Sequence, residues 1–292
     1  MTPYANPDAL VSTAWLAEHG NDPSVRIIDA SWHHPSHGLA GRDDYLEGHI
    51  PGAVFFDIDA IADHSRPLPH MAPDAASFAA GVEALGLGSG HRLVVYDRSA
   101  GAAAAARVWW TFRLFGHDNI ALLDGGFPVW QAEGRPVETQ EPAIPAPSVF
   151  RPAPTPALIR SKAEMMANLS SGKEQVLDAR SAERFRGEAV EPWPHIKVGH
   201  IPGSRNLPWD ELINPGTMRF LPTEFLAARF AATGLDPNRP IIASCGSGVT
   251  ASMLAFALYL LGHDSVAIYD GSWAEWGMAE DTPAAIGDEA GS

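Results

Sequence analysis

The 292-residue chain holds one cysteine, Cys245, within Ile241-Ile242-Ala243-Ser244-Cys245-Gly246-Ser247-Gly248-Val249-Thr250. The string reads as a buried strand, a tight loop of small residues and the start of a helix. A thiol at such a turn faces backbone N–H groups at a helix N-terminus, which favour the thiolate, the reactive form of the group. Gly246, Ser247 and Gly248 leave room for a ligand and let successive N–H groups turn toward one point, a nest that stabilises an anion. The chemistry predicted is nucleophilic attack by sulfur through a covalent intermediate.

A nucleophile needs elements to hold it, and the chain carries the same set twice. Gly48-His49-Ile50-Pro51-Gly52 returns as Gly199-His200-Ile201-Pro202-Gly203, and Arg26-Ile27-Ile28-Asp29-Ala30 as Gln175-Val176-Leu177-Asp178-Ala179. Leu114-Phe115-Gly116-His117-Asp118 returns as Leu260-Leu261-Gly262-His263-Asp264, and Leu122-Leu123-Asp124-Gly125-Gly126 as Ala267-Ile268-Tyr269-Asp270-Gly271. The order is kept at an offset of about 150 residues, so a whole domain is duplicated in tandem. In the first copy, short β-branched runs at 25–29, 93–97 and 120–123 read as strands, and 102–115 reads as a helix. Such alternation predicts an α/β fold, each copy a mainly parallel sheet with helices on both faces. Sites in such sheets lie at the carboxyl ends of strands, where Cys245 falls. The aligned strand end in the first copy carries Asp97, so only the second copy is armed. The expected division is a first domain over 1–138, a Pro-rich linker over 139–158, a catalytic domain over 159–282 and a flexible tail over 283–292.

Composition narrows the function classes. A net charge of −15 disfavours nucleic acid and anionic membrane as partners. One cysteine excludes an intrachain disulfide framework and a multi-cysteine metal site. No signal peptide is read at the N-terminus and no stretch is apolar enough to span a bilayer. A reducing cytoplasm is the expected compartment. His33-His34-Pro35-Ser36-His37 lacks the helical spacing and carboxylate partners of common metal sites, so neither a metal nor a cofactor is expected. His49 and His200 recur in both copies although only one has the cysteine, which reads as a structural role. Trp273 and Trp276 read as packing residues, with Trp273 a possible wall of the cleft.

The tandem halves, the repeated Gly-His-Ile-Pro-Gly and the strand–cysteine–loop–helix unit resemble the two-domain rhodanese sulfurtransferases over nearly the whole chain. The loop from Cys245 to Thr250 is similar to that of the 3-mercaptopyruvate branch, whereas the thiosulfate branch carries Arg and Lys after the cysteine. Thiosulfate is a compact dianion that gains from basic loop side chains; mercaptopyruvate has one carboxylate remote from its sulfur, so a neutral loop suffices. The resemblance implies a Cys245 persulfide, release of pyruvate, and transfer of the outer sulfur to thioredoxin-like thiols, small thiols or cyanide. It implies a substrate-binding loop that includes Gly246, Gly248, Val249 and Thr250. It also implies a carboxylate contact at Arg184, with Arg186 as a second candidate, since guanidinium forks hold carboxylates by paired hydrogen bonds. Asp59 and His70 match, by motif and spacing, the partners of the loop serine in a protease-like relay, here with Ser247.

One position departs from that pattern. Trp193 stands where mercaptopyruvate enzymes carry a second arginine, leaving Arg186, His195 or Lys197 to supply a donor. Three rival functions fit the residues less well. A thiosulfate:cyanide sulfurtransferase is disfavoured by the neutral loop. A cysteine phosphatase needs Cys-x5-Arg, and Ala251 occupies the arginine position. A non-enzymatic sulfur carrier or binding module is disfavoured by the intact nucleophile, Arg184 and the Asp59–His70–Ser247 set.

Overall fold

The computed structural model describes residues 2–34, 37–99, 102–142, 144, 147–192 and 195–288. Its strands are β1 (Leu10–Val11), β2 (Val25–Asp29), β3 (Val54–Phe55), β4 (Arg92–Tyr96), β5 (Ile120–Leu123), β6 (Ile159–Arg160), β7 (Gln175–Asp178), β8 (Arg205–Asn206), β9 (Ile213–Asn214), β10 (Arg219–Phe220), β11 (Ile241–Ser244) and β12 (Ala267–Tyr269). Two five-stranded sheets result, in the orders β1-β5-β4-β2-β3 and β6-β12-β11-β7-β8, and the duplication is visible as one topology built twice. Every pairing within them is parallel. β4 and β11 bury nearly every residue rather than every second one, as strands covered on both faces must. A small antiparallel pair, β9 with β10, stands apart from them.

The helices are α1 (Thr13–His19), α2 (Gly41–Glu47), α3 (Ala75–Ala84), α4 (Ala103–Leu114), α5 (Gly126–Ala132), α6 (Lys162–Ser171), α7 (Ala182–Arg186), α8 (Thr223–Ala232), α9 (Ala251–Leu260) and α10 (Ser272–Met278). α4 and α9 are apolar nearly all round, which marks helices buried on every side. They pack on each other across the domain boundary, with the Trp109 and Phe256 rings edge-on at 4.9 Å. Each follows the central strand of its sheet, so the two strand–loop–helix turns face one another and the cleft forms between them.

The connector between the domains is packed rather than free. Phe150 is buried, and the N–H groups of Ala153 and Thr155 bond to Phe115 and Leu114 carbonyls. The tail also departs from expectation. Its small acidic residues suggest fraying, but as far as Gly287 it is pinned by backbone: Ala285 bridges His200, and Gly287 N–H bonds Arg186 O. Backbone pairing of this kind leaves no side-chain signal. His49 and His200 play the structural role expected: they stack on Tyr45 at 4.0 Å and Phe185 at 3.8 Å, with Nδ1 against the carbonyl of the same residue. Among the described residues no helix is long and apolar enough to cross a membrane.

Candidate active site

Cys245 follows the last residue of β11 and is a buried free thiol. The first turn of α10 fixes the loop from below. Trp273 N–H donates to Cys245 O at 2.9 Å and Ala274 N–H to Gly246 O at 2.8 Å, while Cys245 N–H donates to Ser272 Oγ at 3.2 Å. Gly248 turns the chain back with φ +81°, a backbone glycine adopts without strain. Its N–H donates to Cys245 Sγ at 3.1 Å, a donor aimed where negative charge on sulfur develops. A Cβ at Gly248 would lie 2.9 Å from Asp270 O and 3.0 Å from Arg107 Nη1, so no side chain fits there.

The thiol lies at a cleft of about 290 Å3, sized for a small molecule. The second domain lines it with Gly246, Ser247, Val249, Thr250, Arg184 and Trp209. The first domain adds Trp32, His33, His34, His37 and Ser99. Gly248 is not among the lining residues; its part is to turn the loop. Arg184, on the short α7, is held by Glu191, which accepts from Nε at 3.2 Å and from Nη2 at 2.5 Å. Glu191 also accepts from Arg180 Nη1 at 2.8 Å and is itself buried, so one carboxylate fixes two guanidinium groups. Arg184 keeps a quarter of its side chain exposed, on the cleft side.

Arg186, two positions on, points elsewhere. Residues two apart on a helix do not share a face, and Arg186 pairs with Glu188 at 2.8 Å in a separate surface pocket beside Arg205 and Asp288. It is therefore no part of this cleft. Lys197 is committed to the carbonyls of Ala279 and Thr282, and His195 is exposed outside the cleft lining. Trp193 lies outside the described residues, as do Pro35 and Ser36 of the histidine loop. Trp273 is buried beneath the loop under the Arg180 guanidinium, not in the cleft wall.

Asp59 and His70 are brought together, with Nδ1 and Oδ1 at 2.8 Å, although the ring N–H is not in line with the oxygen. His70 holds the Asp59 carboxyl below its ordinary range, against the opposing effect of partial burial. The pair backs the cleft rather than lining it. Trp32 stands between: its ring meets His70 edge-on at 4.9 Å and its indole N–H donates to Asp59 Oδ2 at 2.8 Å. Ser247 faces the cleft from the other domain.

The sequence reading missed Trp32, Glu191 and the place of the histidine loop. The duplication held a signal for the last: the loop after Asp29 is the counterpart of the loop after Asp178 that leads to Arg184. Among the described residues no group of three or more His, Cys, Asp or Glu is placed to hold a metal.

Two like α/β domains, with one buried free cysteine in a loop beside a small cleft lined by an arginine and several histidines, define a tandem α/β protein with a single thiol site. Comparison with known proteins gives the family. The model of the rhodanese-like domain matches residues 12–133 and again 161–279, and the chain belongs to the rhodanese family. It is 42% identical to a 3-mercaptopyruvate sulfurtransferase of Escherichia coli, over 94% of this chain and 96% of that one. It is 43% identical to a thiosulfate sulfurtransferase of Bos taurus, over 92% and 91%. Among solved structures it matches SseA from Escherichia coli, a 3-mercaptopyruvate enzyme with the rhodanese fold, at a TM-score of 0.82 and 39% identity over 91% of this chain and 98% of that one.

Proposed function

We propose that the protein moves sulfur from 3-mercaptopyruvate through a Cys245 persulfide to a thiol acceptor or cyanide, releasing pyruvate. The observation that carries this is a buried free thiol in a loop without charged side chains, in one small cleft with Arg184. The Cys245 thiolate attacks the donor sulfur and forms the S–S bond as the carbon–sulfur bond breaks. The bonding electrons pass to carbon as the enolate of pyruvate, which takes up a proton. An acceptor thiolate then attacks the outer sulfur and Cys245 leaves as thiolate, so no net oxidation occurs.

Arg184 takes the donor carboxylate, and Gly246, Val249 and Thr250 shape the space around it. We read Ser247, His70 and Asp59 as a proton path that bound substrate completes: the serine is in the cleft, and the histidine is held by the carboxylate behind Trp32. A thiol that must stay free suits a reducing compartment such as the cytoplasm. Thiosulfate as donor is a second reading, favoured by the three histidines lining the cleft.

The test is mass spectrometry after exposure to 3-mercaptopyruvate. One added sulfur on Cys245 is expected, and none in Cys245→Ser. Pyruvate release without that adduct rejects the mechanism. A higher kcat/KM for thiosulfate than for mercaptopyruvate selects the second reading.

A further inference from the structure

The anion contact of the cleft is only half built by the second domain. Glu191 occupies Nε and Nη2 of Arg184, which leaves Nη1 for a ligand. A carboxylate has two oxygens, and the first-domain wall of the cleft brings the ionisable side chains other than Arg184 and Cys245. There Trp32 gives its indole N–H to Asp59, and His33 is tied to Asp44 at 2.6 Å. His34 and His37 complete that wall, their rings 6.1 Å apart.

We infer that the anionic end of the donor is bound between Arg184 of the second domain and the imidazoles of His34 and His37 of the first. This rests on the reading of the cleft as the donor site, and it makes the histidines specificity-determining residues. The local charges support it. Burial, then His37, His70 and Arg184, push His34 below the ordinary imidazole value, so Arg184 and three imidazoles lie close enough to interact in this space. The acidic groups nearby are already engaged: Asp44 with His33, Asp59 with His70 and Trp32, and Glu191 with both arginines. An anion in the cleft favours the protonated imidazoles. Affinity should therefore fall as pH rises and positive charge on this wall is lost.

The experiment measures the Kd of pyruvate, which carries the carboxylate without the sulfur, on the Cys245→Ser protein. Removing the thiol keeps its own ionisation out of the profile. Kd is expected to rise about tenfold between about pH 5.5 and 7.5. Adding His34→Ala and His37→Ala should weaken binding at the low end and flatten the slope. His34→Gln with His37→Gln, which retains hydrogen-bond donors without charge, should recover part of the affinity but not the slope. His33→Ala should keep the slope. An unchanged Kd and slope in the His34/His37 variants overturns the inference. Failure of the wild type to form a persulfide from mercaptopyruvate overturns the proposed function instead, and leaves the pyruvate result standing.

Discussion

At the scale of single residues, the cleft depends on a charge arrangement that the chain hides. Cys245 is legible because small residues between a buried run and a helix have a local signature. Arg184 is legible only through resemblance, since nothing in its own spacing separates it from Arg186; the helix does so by turning them to different faces. Glu191 is not legible at all, because a carboxylate that crosses a loop to clamp two arginines leaves no periodic trace. On the proposed function Arg184 has two tasks at once, holding Glu191 and taking the donor, and a lysine cannot perform both. Arg184→Lys keeps the charge but lacks the fork, so it serves Glu191 or the donor but not both. Loss of one charged hydrogen bond, about 2 kcal/mol, corresponds to roughly thirtyfold in KM. Steady-state kinetics should show that rise with kcat largely kept, and Arg184→Ala should be worse in KM again. A fall in kcat alone would place Arg184 in the chemistry rather than in binding.

At the scale of elements, the two strand–loop–helix turns show what arming a loop requires. At the end of β4 the position of the cysteine is Asp97, whose carboxylate accepts from Ser99 N–H at 2.9 Å, Ser99 Oγ at 2.8 Å and Ala105 N–H at 3.0 Å. The first domain thus fills its own nest with a built-in anion. Its Arg98 covers the Phe127 ring at 4.0 Å and donates to Gly48 O. In the second domain the matching tasks, over Trp273 and at Gly199 O, fall to Arg180 from the end of β7, and Gly246 leaves the loop open. That exchange of arginines between strand ends lies beyond local pattern, although the three strands and the helix read in the first copy fall within a residue of β2, β4, β5 and α4. Burial pushes the Asp97 carboxyl up to about 6, with its hydrogen bonds opposing. A carboxyl raised in the folded state contributes stability that is full below its unfolded value near 4 and is lost as pH rises through 6. The loss is about 3 kcal/mol. Asp97→Asn removes the ionisation, so the stability deficit of the variant relative to wild type should shrink between about pH 4 and 7.5 by that order. Urea unfolding at the two pH values measures it, and a constant difference would show that Asp97 titrates normally.

At the scale of the molecule, the question is why a domain without a nucleophile is kept. The duplication is plain in the chain, but the contacts that join the copies are long-range pairs with no local signature. The chief one is buried. Arg107 of α4 donates to Asp270 Oδ1 at 2.7 Å, to Gly248 O at 3.4 Å and to the carbonyl of His70, and Asp270 Oδ2 accepts from Ala72 N–H at 2.8 Å. Asp270 and Gly248 belong to the second domain; Arg107, His70 and Ala72 belong to the first. One guanidinium therefore fixes both the loop whose N–H meets the Cys245 sulfur and the segment that carries His70. The mirror contact, Asp124 accepting from Phe220 N–H at 3.0 Å, joins the same domains away from the thiol. The two carboxylates form a natural comparison, because both stitch the domains and only one touches the loop. Asp270→Asn weakens the hold on Arg107 and should lower kcat, by up to about a hundredfold where the loop shifts by about 1 Å, with KM little changed because Asp270 does not line the cleft. Asp124→Asn should lower the unfolding midpoint comparably while leaving kcat near wild type. The alkylation rate of Cys245 should follow kcat across the pair, since Gly248 N–H is the link between Arg107 and sulfur. Equal losses of kcat in both variants would mean that the first domain supports the site only by general stability, and that Arg107 sets no geometry at the thiol.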